Sequence, residues 1–238
     1  MDLNLPNAFA DDDFSSRVVE IVAKEGSSIA YASVNTSHGH SFIAKQANVD
    51  KDASVQWIEC SFNSNIIHAN LTARLAGEGS STDLRSLFIG EGDAALNLDV
   101  KTIHDAPNTK SRMLGRGVLH GRARAVSKGL VKIQQNAAGC DGFQEQHGLL
   151  LSEEASFDPV PVLEIHNDDV KCSHATTVSD IDDEKIYYMM SRGLDKAMAR
   201  RSVVEGFVGC ITKEAPEEAS HIVETIIRER LLEMQHAH

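Results

Sequence analysis

A period of two governs most of this chain. Ile67, Ala69, Leu71, Ala73 and Leu75 alternate with polar neighbours, and Ala94, Leu96, Leu98 and Val100 repeat the pattern. Val55–Cys60, Leu84–Ile89, Leu130–Gln134 and Gly148–Leu151 add short apolar segments of the same kind. Side chains on a strand alternate between faces, so this pattern specifies β structure with one buried side. Gly77, Gly79, Gly90, Gly92, Pro107-Asn108, Gly115, Gly117, Gly121 and Gly129 punctuate it. Turns therefore come roughly every 8–15 residues, the rhythm of a sandwich, barrel or solenoid. The one hairpin-type dipeptide, Asp141-Gly142, lies in a polar stretch, which disfavours hairpin-rich folds. A parallel β-helix asks only for an inward apolar residue at every second position, and is the architecture expected over residues 29–178. No sequence repeat marks its coils. Gly90-Glu91-Gly92 and Gly115-Arg116-Gly117 lack the spacing of a dinucleotide fingerprint and read as corners of coils.

Residues 1–28 form a short N-terminal segment. Phe14–Lys24 reads either as a strand, from its β-branched density, or as a short helix capped by Ser15 or Ser16. Asp11, Asp12 and Asp13 read as a solvated acidic run. After Val178 the pattern becomes helical, over residues 179–238. Carboxylates from Asp180 to Glu184 suit a helix start, Lys185–Arg192 continues it and Gly193 stops it. Asp195 caps a second helix carrying Met198, Val203, Val204 and Phe207. Pro216 opens a third, with Val223, Ile227 and Leu231 four apart beside Ile222 and Ile226. About 60 residues of helix make too small a core to stand alone, so this region packs on the β module or on a partner.

Hydrophobic residues make up 42% of the chain and aromatics only 5%, with Trp57 the single tryptophan. Such a core, built from Val, Ile, Leu and Ala, suits a narrow layered β interior. A net charge of −12 repels phosphate backbones and argues against nucleic-acid partners. No apolar run approaches the roughly 20 residues of a membrane span. The N-terminus lacks the basic start and apolar middle of a secretion signal, so the expected location is the cytoplasm. Four scattered cysteines, Cys60, Cys140, Cys172 and Cys210, do not make a disulfide scaffold.

Chemistry concentrates where strands give way to helices. Residues 162–177 bring together Glu164, His166, Asp168, Asp169, Lys171, Cys172 and His174. Two residues apart on a strand, Cys172 and His174 point to one face. A thiolate and a neutral imidazole are sound ligands for iron or a cluster. The plainer reading is a buried, inert cysteine beside a hydrogen-bonded histidine. Cys140, between Gly139 and Asp141-Gly142, reads as a loop thiol exposed to solvent, with no neighbouring cation to activate it. Asp168 and Asp169 offer hard oxygen ligands or, more simply, turn residues, and His104 offers a metal ligand or, more simply, a residue that fixes the loop at Pro107-Asn108; Cys60 and Cys210 read as core, and His236 and His238 as tail.

The strings Asp168-Asp169-Val170-Lys171-Cys172-Ser173-His174-Ala175-Thr176-Thr177-Val178, Tyr187-Tyr188-Met189-Met190-Ser191-Arg192-Gly193-Leu194, Ala199-Arg200-Arg201 and Val204-Glu205-Gly206-Phe207 resemble the C-terminal half of the SufB/SufD family. His104-Asp105-Ala106-Pro107-Asn108-Thr109 and Leu149–Glu153 fit as well. The resemblance, over roughly residues 30–212, implies a right-handed parallel β-helix followed by helices that dock the SufC ATPase. It also implies a non-catalytic scaffold on which an iron–sulphur cluster is built transiently, in a dimer with a B-type paralogue or with itself. Tyr187, Arg192, Arg200, Arg201, Glu205 and Phe207 then become the candidates for partner binding. The chain has no G-x-x-x-x-G-K-[ST] loop, so nucleotide energy would come from the partner, and no flavin motif is readable. Family members carry a long helical N-terminal domain that has no counterpart in residues 1–28. The B-type sulphur-accepting cysteine falls here at Gln146 or His147, with Cys140 several residues earlier. The D-type histidine is matched by His174, so Lys171-Cys172-Ser173-His174 reads as D-like.

Within this resemblance Cys172, His174 and Cys140 are the cluster or metal candidates. Two other function classes stand beside it. One is an interaction subunit that stabilises an ATPase complex and binds no metal. The other is a β-helix carbohydrate-active enzyme, disfavoured by the scarce aromatics and the missing secretion signal.

Overall fold

In the computed structural model the described residues are 2–4, 14–36, 39–63, 65–213, 220, 221 and 223–229. Among the described residues thirteen strands precede the helices: β1 Asp2–Asn4, β2 Phe14–Ala23, β3 Ser28–Asn35, β4 His40–Val49, β5 Ser54–Asn63, β6 Ile66–Leu75, β7 Ser81–Gly90, β8 Ala95–His104, β9 Lys110–Leu119, β10 Arg124–Ile133, β11 Cys140–Leu150, β12 Ser156–Ile165 and β13 Val170–Asp180. Odd strands form one parallel sheet and even strands another, each strand pairing with those two before and two after it. The chain thus winds as a parallel β-solenoid with two faces. Paired residues of neighbouring coils lie from 26 apart, as Ser28 and Ser54, to 32 apart, as Arg124 and Ser156.

The corners explain why no repeat is visible. Gly26, Asp52, Gly79, Asn108 and Gly139 all have positive φ, between 53° and 70°. They occupy the same corner in five successive coils. The N–H of each donates to the next coil, Gly26 to Lys51 O, Asp52 to Glu78 O, Gly79 to Pro107 O, Asn108 to Ala138 O and Gly139 to Asp169 O. Glycine, aspartate and asparagine are the residues that tolerate this left-handed conformation, so one structural position is written with three different letters.

The two sheets differ in burial for a physical reason. β4, β6, β8 and β10 alternate between buried residues and exposed or half-buried ones, because only their inner face is fully covered. β3, β7 and β9 are buried on both faces towards their C-terminal ends, as in Leu87-Phe88-Ile89. Phe88 packs into the interior with Trp57, Ile67, Leu71 and Leu75. Leu87 and Ile89 instead meet Val204, Val208, Ile211, Val223 and Ile227 of the helical region. Each such aliphatic side chain contributes about 1.5–3 kcal/mol on burial. The helices therefore close the outer face of the odd sheet.

Helix α1 spans Asp183–Ser191, with Asp182 accepting from the backbone N–H groups of Glu184 and Lys185. Helix α2 spans Lys196–Thr212, with Asp195 accepting from Met198 N. Gly193 between them has φ 97°. Residues 220, 221 and 223–229 are helical. Asp11–Asp13, Pro216, Ile222, Leu231, His236 and His238 lie outside the described residues.

Phe14–Ala23 is a strand, pairing along its whole length with β4, so stacked β structure begins ahead of residue 29. Gly115-Arg116-Gly117 is not a corner but lies within β9. A Cβ on Gly117 would come within 2.2 Å of the Phe88 ring, and one on Gly148 within 2.2 Å of the Phe157 ring. These glycines make room for large interior rings and do not turn the chain.

The interior also holds charge. Lys45 Nζ donates to both Glu59 carboxylate oxygens, at 2.7 and 3.0 Å, and to Ser33 Oγ at 2.6 Å. Lys45 and Glu59 are 3% exposed each. Burial raises the Glu59 pKa, against the opposing pull of Lys45. Removing Lys45 leaves the Glu59 carboxylate buried without its ion-pair partner, so Lys45→Ala is expected to cost about 3–5 kcal/mol. Lys45→Met combined with Glu59→Leu should cost far less; urea unfolding followed by circular dichroism measures both.

Candidate functional site at the open end of the solenoid

The last coil is β12 and β13, and among the described residues no strand stacks beyond either. In parallel register, Cys140 of β11 faces Val170 of β13, Gly142 faces Cys172, Gln144 faces His174, Gln146 faces Thr176 and Gly148 faces Val178. The inner face of β11 is buried, with Cys140 1%, Gln144 0% and Gln146 3% exposed. The matching face of β13 has no coil above it. Cys172 is half-buried and His174 is exposed. Cys172 and His174 therefore project side by side from the end of the solenoid axis, as their spacing predicts.

The two end strands are not equivalent. β12 carries Pro159 and Pro161, two residues apart and so directed to one edge. Proline has no N–H to offer a further strand and sits on unpaired edges. β13 has eleven residues and no proline, and its free edge can accept another strand.

Beneath this rim, Gln144 donates through Nε2 to Val162 O at 3.2 Å. Its Oε1 is buried without a hydrogen-bond partner, directly under His174 in the register. The thiol of Cys172 has a raised pKa, from burial first and then from Asp141, so at neutral pH it is held as the thiol.

Cys140 is not a loop thiol. It is the first residue of β11 and points inward, in a cluster with Val131, Ile133 and Ala137 against which Leu163, Val170 and Cys172 pack. Its Sγ lies 3.0 Å from Thr109 Oγ1. The alternation of β11 places it inside, a consequence hidden by the polar letters around it. Thr109 Oγ1 is also 2.7 Å from His104 Nδ1, and His104 Nε2 is 2.8 Å from Ser111 Oγ. Both ring nitrogens are used, and His104 holds the loop as expected. Burial lowers its pKa to about 4. Asp168 and Asp169 lie in the bend before β13. Cys60 is fully buried, whereas Cys210 sits at the seam between α2 and the odd sheet, its Sγ accepting from Arg116 Nε at 3.1 Å.

The residues proposed for partner binding divide. Tyr187 is 75% exposed on α1, beside exposed Tyr188 and Met190, and Met198 of α2 is exposed as well. The Arg192 guanidinium lies 5.3 Å from the Tyr188 ring centre. Arg201 and Glu205 pair on the α2 surface at 2.8 Å. Arg200 and Phe207 face the solenoid instead: Arg200 donates to Leu151 O at 3.0 Å, and Phe207 lies under Arg116. Sequence reasoning missed Gln144 and the group Arg116, Glu145 and Thr177. His147, which completes that group, had drawn notice only for its alignment with a family cysteine.

The fold is a two-faced parallel solenoid that ends in a half-buried thiol and an exposed imidazole, with a helical clasp on one face. The chain belongs to the SufBD family: residues 4–207 match the family model described as SUF system FeS cluster assembly, SufBD core domain. It is 30% identical over 204 residues to the iron-sulfur cluster assembly protein SufD of Bacillus subtilis, covering 84% of this chain and 47% of that protein. A SufBD family protein of Mycobacterium leprae is 30% identical over 230 residues, covering 95% of this chain and 26% of the relative. One from Staphylococcus epidermidis is 27% identical over 213 residues, covering 88% and 46%. The chain thus spans under half of the length of each of these relatives. Among the described residues no helix is long and apolar enough to cross a membrane.

Two outcomes follow. On the native protein at neutral pH, iodoacetamide should modify Cys172 ahead of Cys140 and Cys60, which stay protected until unfolding; mass spectrometry of tryptic peptides reads the order. Because the folded pKa of His104, about 4, lies below the ordinary 6.5, its neutral ring contributes stability that is complete above pH 6.5. That contribution, at most about 3 kcal/mol, is lost as pH falls from 6.5 to 4. His104→Gln should be less stable at pH 7 and lose less across that window, as denaturation midpoints measured along the pH range will show.

Proposed function

We propose that this chain is a scaffold subunit of a SUF iron–sulphur cluster assembly complex, not an enzyme, working in the cytoplasm. The observation that carries the reading is the placing of Cys172 and His174 on one face of the end strand β13, in a member of the SufBD family. The nascent cluster is the cargo. Cys172 would supply a soft donor and His174 a nitrogen donor at the mouth of the solenoid, with Cys140 one coil below. Among the described residues no three His, Cys, Asp or Glu side chains gather in a geometry able to hold a metal ion. In this reading a second chain, either a SufB-type paralogue or a second copy, supplies the remaining donors and adds at the free edge of β13. The D-like match at His174 favours the D-type role.

A SufC-type ATPase docks on the helical region in this reading. The exposed Tyr187, Tyr188, Met190 and Met198 give it an aromatic and thioether surface, the composition of interface hot spots. Arg192 orders that surface by lying on Tyr188, and Arg201 and Glu205 supply its polar rim.

The lack of a three-ligand group among the described residues fits a second reading as well, an interaction subunit that stabilises the ATPase complex and binds no metal. Anaerobic reconstitution with iron and sulphide, on the complex purified from its own cell, separates the two. A cluster absorption band that drops several-fold in His174→Ala is the expected result. Equal yield from both proteins removes His174 from the mechanism. Co-purification of the ATPase without any iron uptake decides for the second reading.

A further inference from the structure

The geometry points to Arg116 as a mechanical link that ties helix α2 to the end strand β13, so that a displacement of α2 is felt at the strand carrying Cys172 and His174. Arg116, His147 and Thr177 occupy one register column on the outer face of the odd sheet, on β9, β11 and β13. On the helix side, Arg116 Nε donates to Cys210 Sγ at 3.1 Å, and its guanidinium lies 5.1 Å from the Phe207 ring centre. On the sheet side, Arg116 Nη2 donates to Glu145 Oε1 at 3.3 Å. The same carboxylate oxygen meets His147 Nε2, and His147 Nδ1 meets Thr177 Oγ1. The path from α2 to the last strand is therefore continuous through four side chains. The side chains of Arg116, Glu145 and His147 are only 16%, 22% and 16% exposed.

Three details make this a link and not a generic staple. A neutral imidazole donates through one nitrogen and accepts through the other, so His147 transmits a fixed orientation from Glu145 to Thr177. Burial and the Arg116 charge hold the His147 pKa down, against Glu145, which favours that neutral form. Two other anchors of α2 lead elsewhere. Arg85 Nη1 donates to Cys210 O from β7, and Arg200 reaches Leu151 at the corner after β11. Of these contacts, those of Arg116 alone run outward along the sheet to β13.

The bearing of this link on cluster assembly rests on the reading that an ATPase docks on the helices. The link itself is tested on the chain alone, so its failure and the failure of that reading are distinguishable. Hydrogen exchange read by mass spectrometry on the full chain compares Thr177→Val, Phe207→Leu, and each in an Arg116→Met background. Thr177→Val should speed exchange in α2 around Phe207–Ile211, and Phe207→Leu should speed it in β13 around Thr176–Val178. The expected effect is about three- to tenfold, the size one hydrogen bond lends to a local opening equilibrium. Both cross-effects should vanish once Arg116 is replaced. Should Arg116→Met fail to fold, Arg116→Lys keeps the charge and loses the planar stack and the Nε bond. Exchange changes confined to the mutated element, or cross-effects that survive replacement of Arg116, overturn the inference.

Discussion

Parallel stacking is the constraint on which everything else in this molecule depends. Each strand gives its backbone N–H and C=O groups to the coils on either side, and each corner donates one more bond to the next corner. A solenoid satisfied in this way has unsatisfied backbone only at its two ends. The functional candidates collect at one of them because there the inner face of a strand emerges from the core. Cys172 and His174 are the last members of columns whose earlier members, such as Gly142 and Gln144, are sealed inside.

The second dependence is between the odd sheet and the helices. The even sheet is content with water on its outer face, but Leu87, Ile89, Val118 and their neighbours are not. Helix α2 is required there. Its covering role explains why Arg200 and Phe207 turn inward while Tyr187 and Arg192, further out on the clasp, stay in solvent. Arg85 is buried and Arg116 partly buried beneath the same helix, which gives two cations a place at the seam that an open sheet would not offer.

Faces of strands were legible from the letters. Ile67, Ala69, Leu71, Ala73 and Leu75 are all buried on one side, as a period of two dictates. Helix caps at Asp182 and Asp195 and the stop at Gly193 are local chemistry and were equally readable within a residue or two. The corners were not. Gly26, Asp52, Gly79, Asn108 and Gly139 share a conformation and a bonding role but not an identity, so the coil repeat left no trace in the sequence. Gly117 looked like a turn because the ring of Phe88 that demands its missing side chain is 29 residues away and reaches it only across coils. Cys140 looked exposed because its neighbours are polar, yet the strand phase places those neighbours outside and the thiol within.

The residues alone determined the period, the inward and outward faces, the helix ends and the family resemblance, since each rests on spacings of two to four residues or on contiguous strings. The structure alone decided which coil lies on which, where the stack stops, and that Lys45 meets Glu59 and Arg116 meets Cys210. Those choices rest on contacts between residues 14 to 94 positions apart. Over such distances the chain carries no local signal, and only simultaneous packing and backbone pairing select one register.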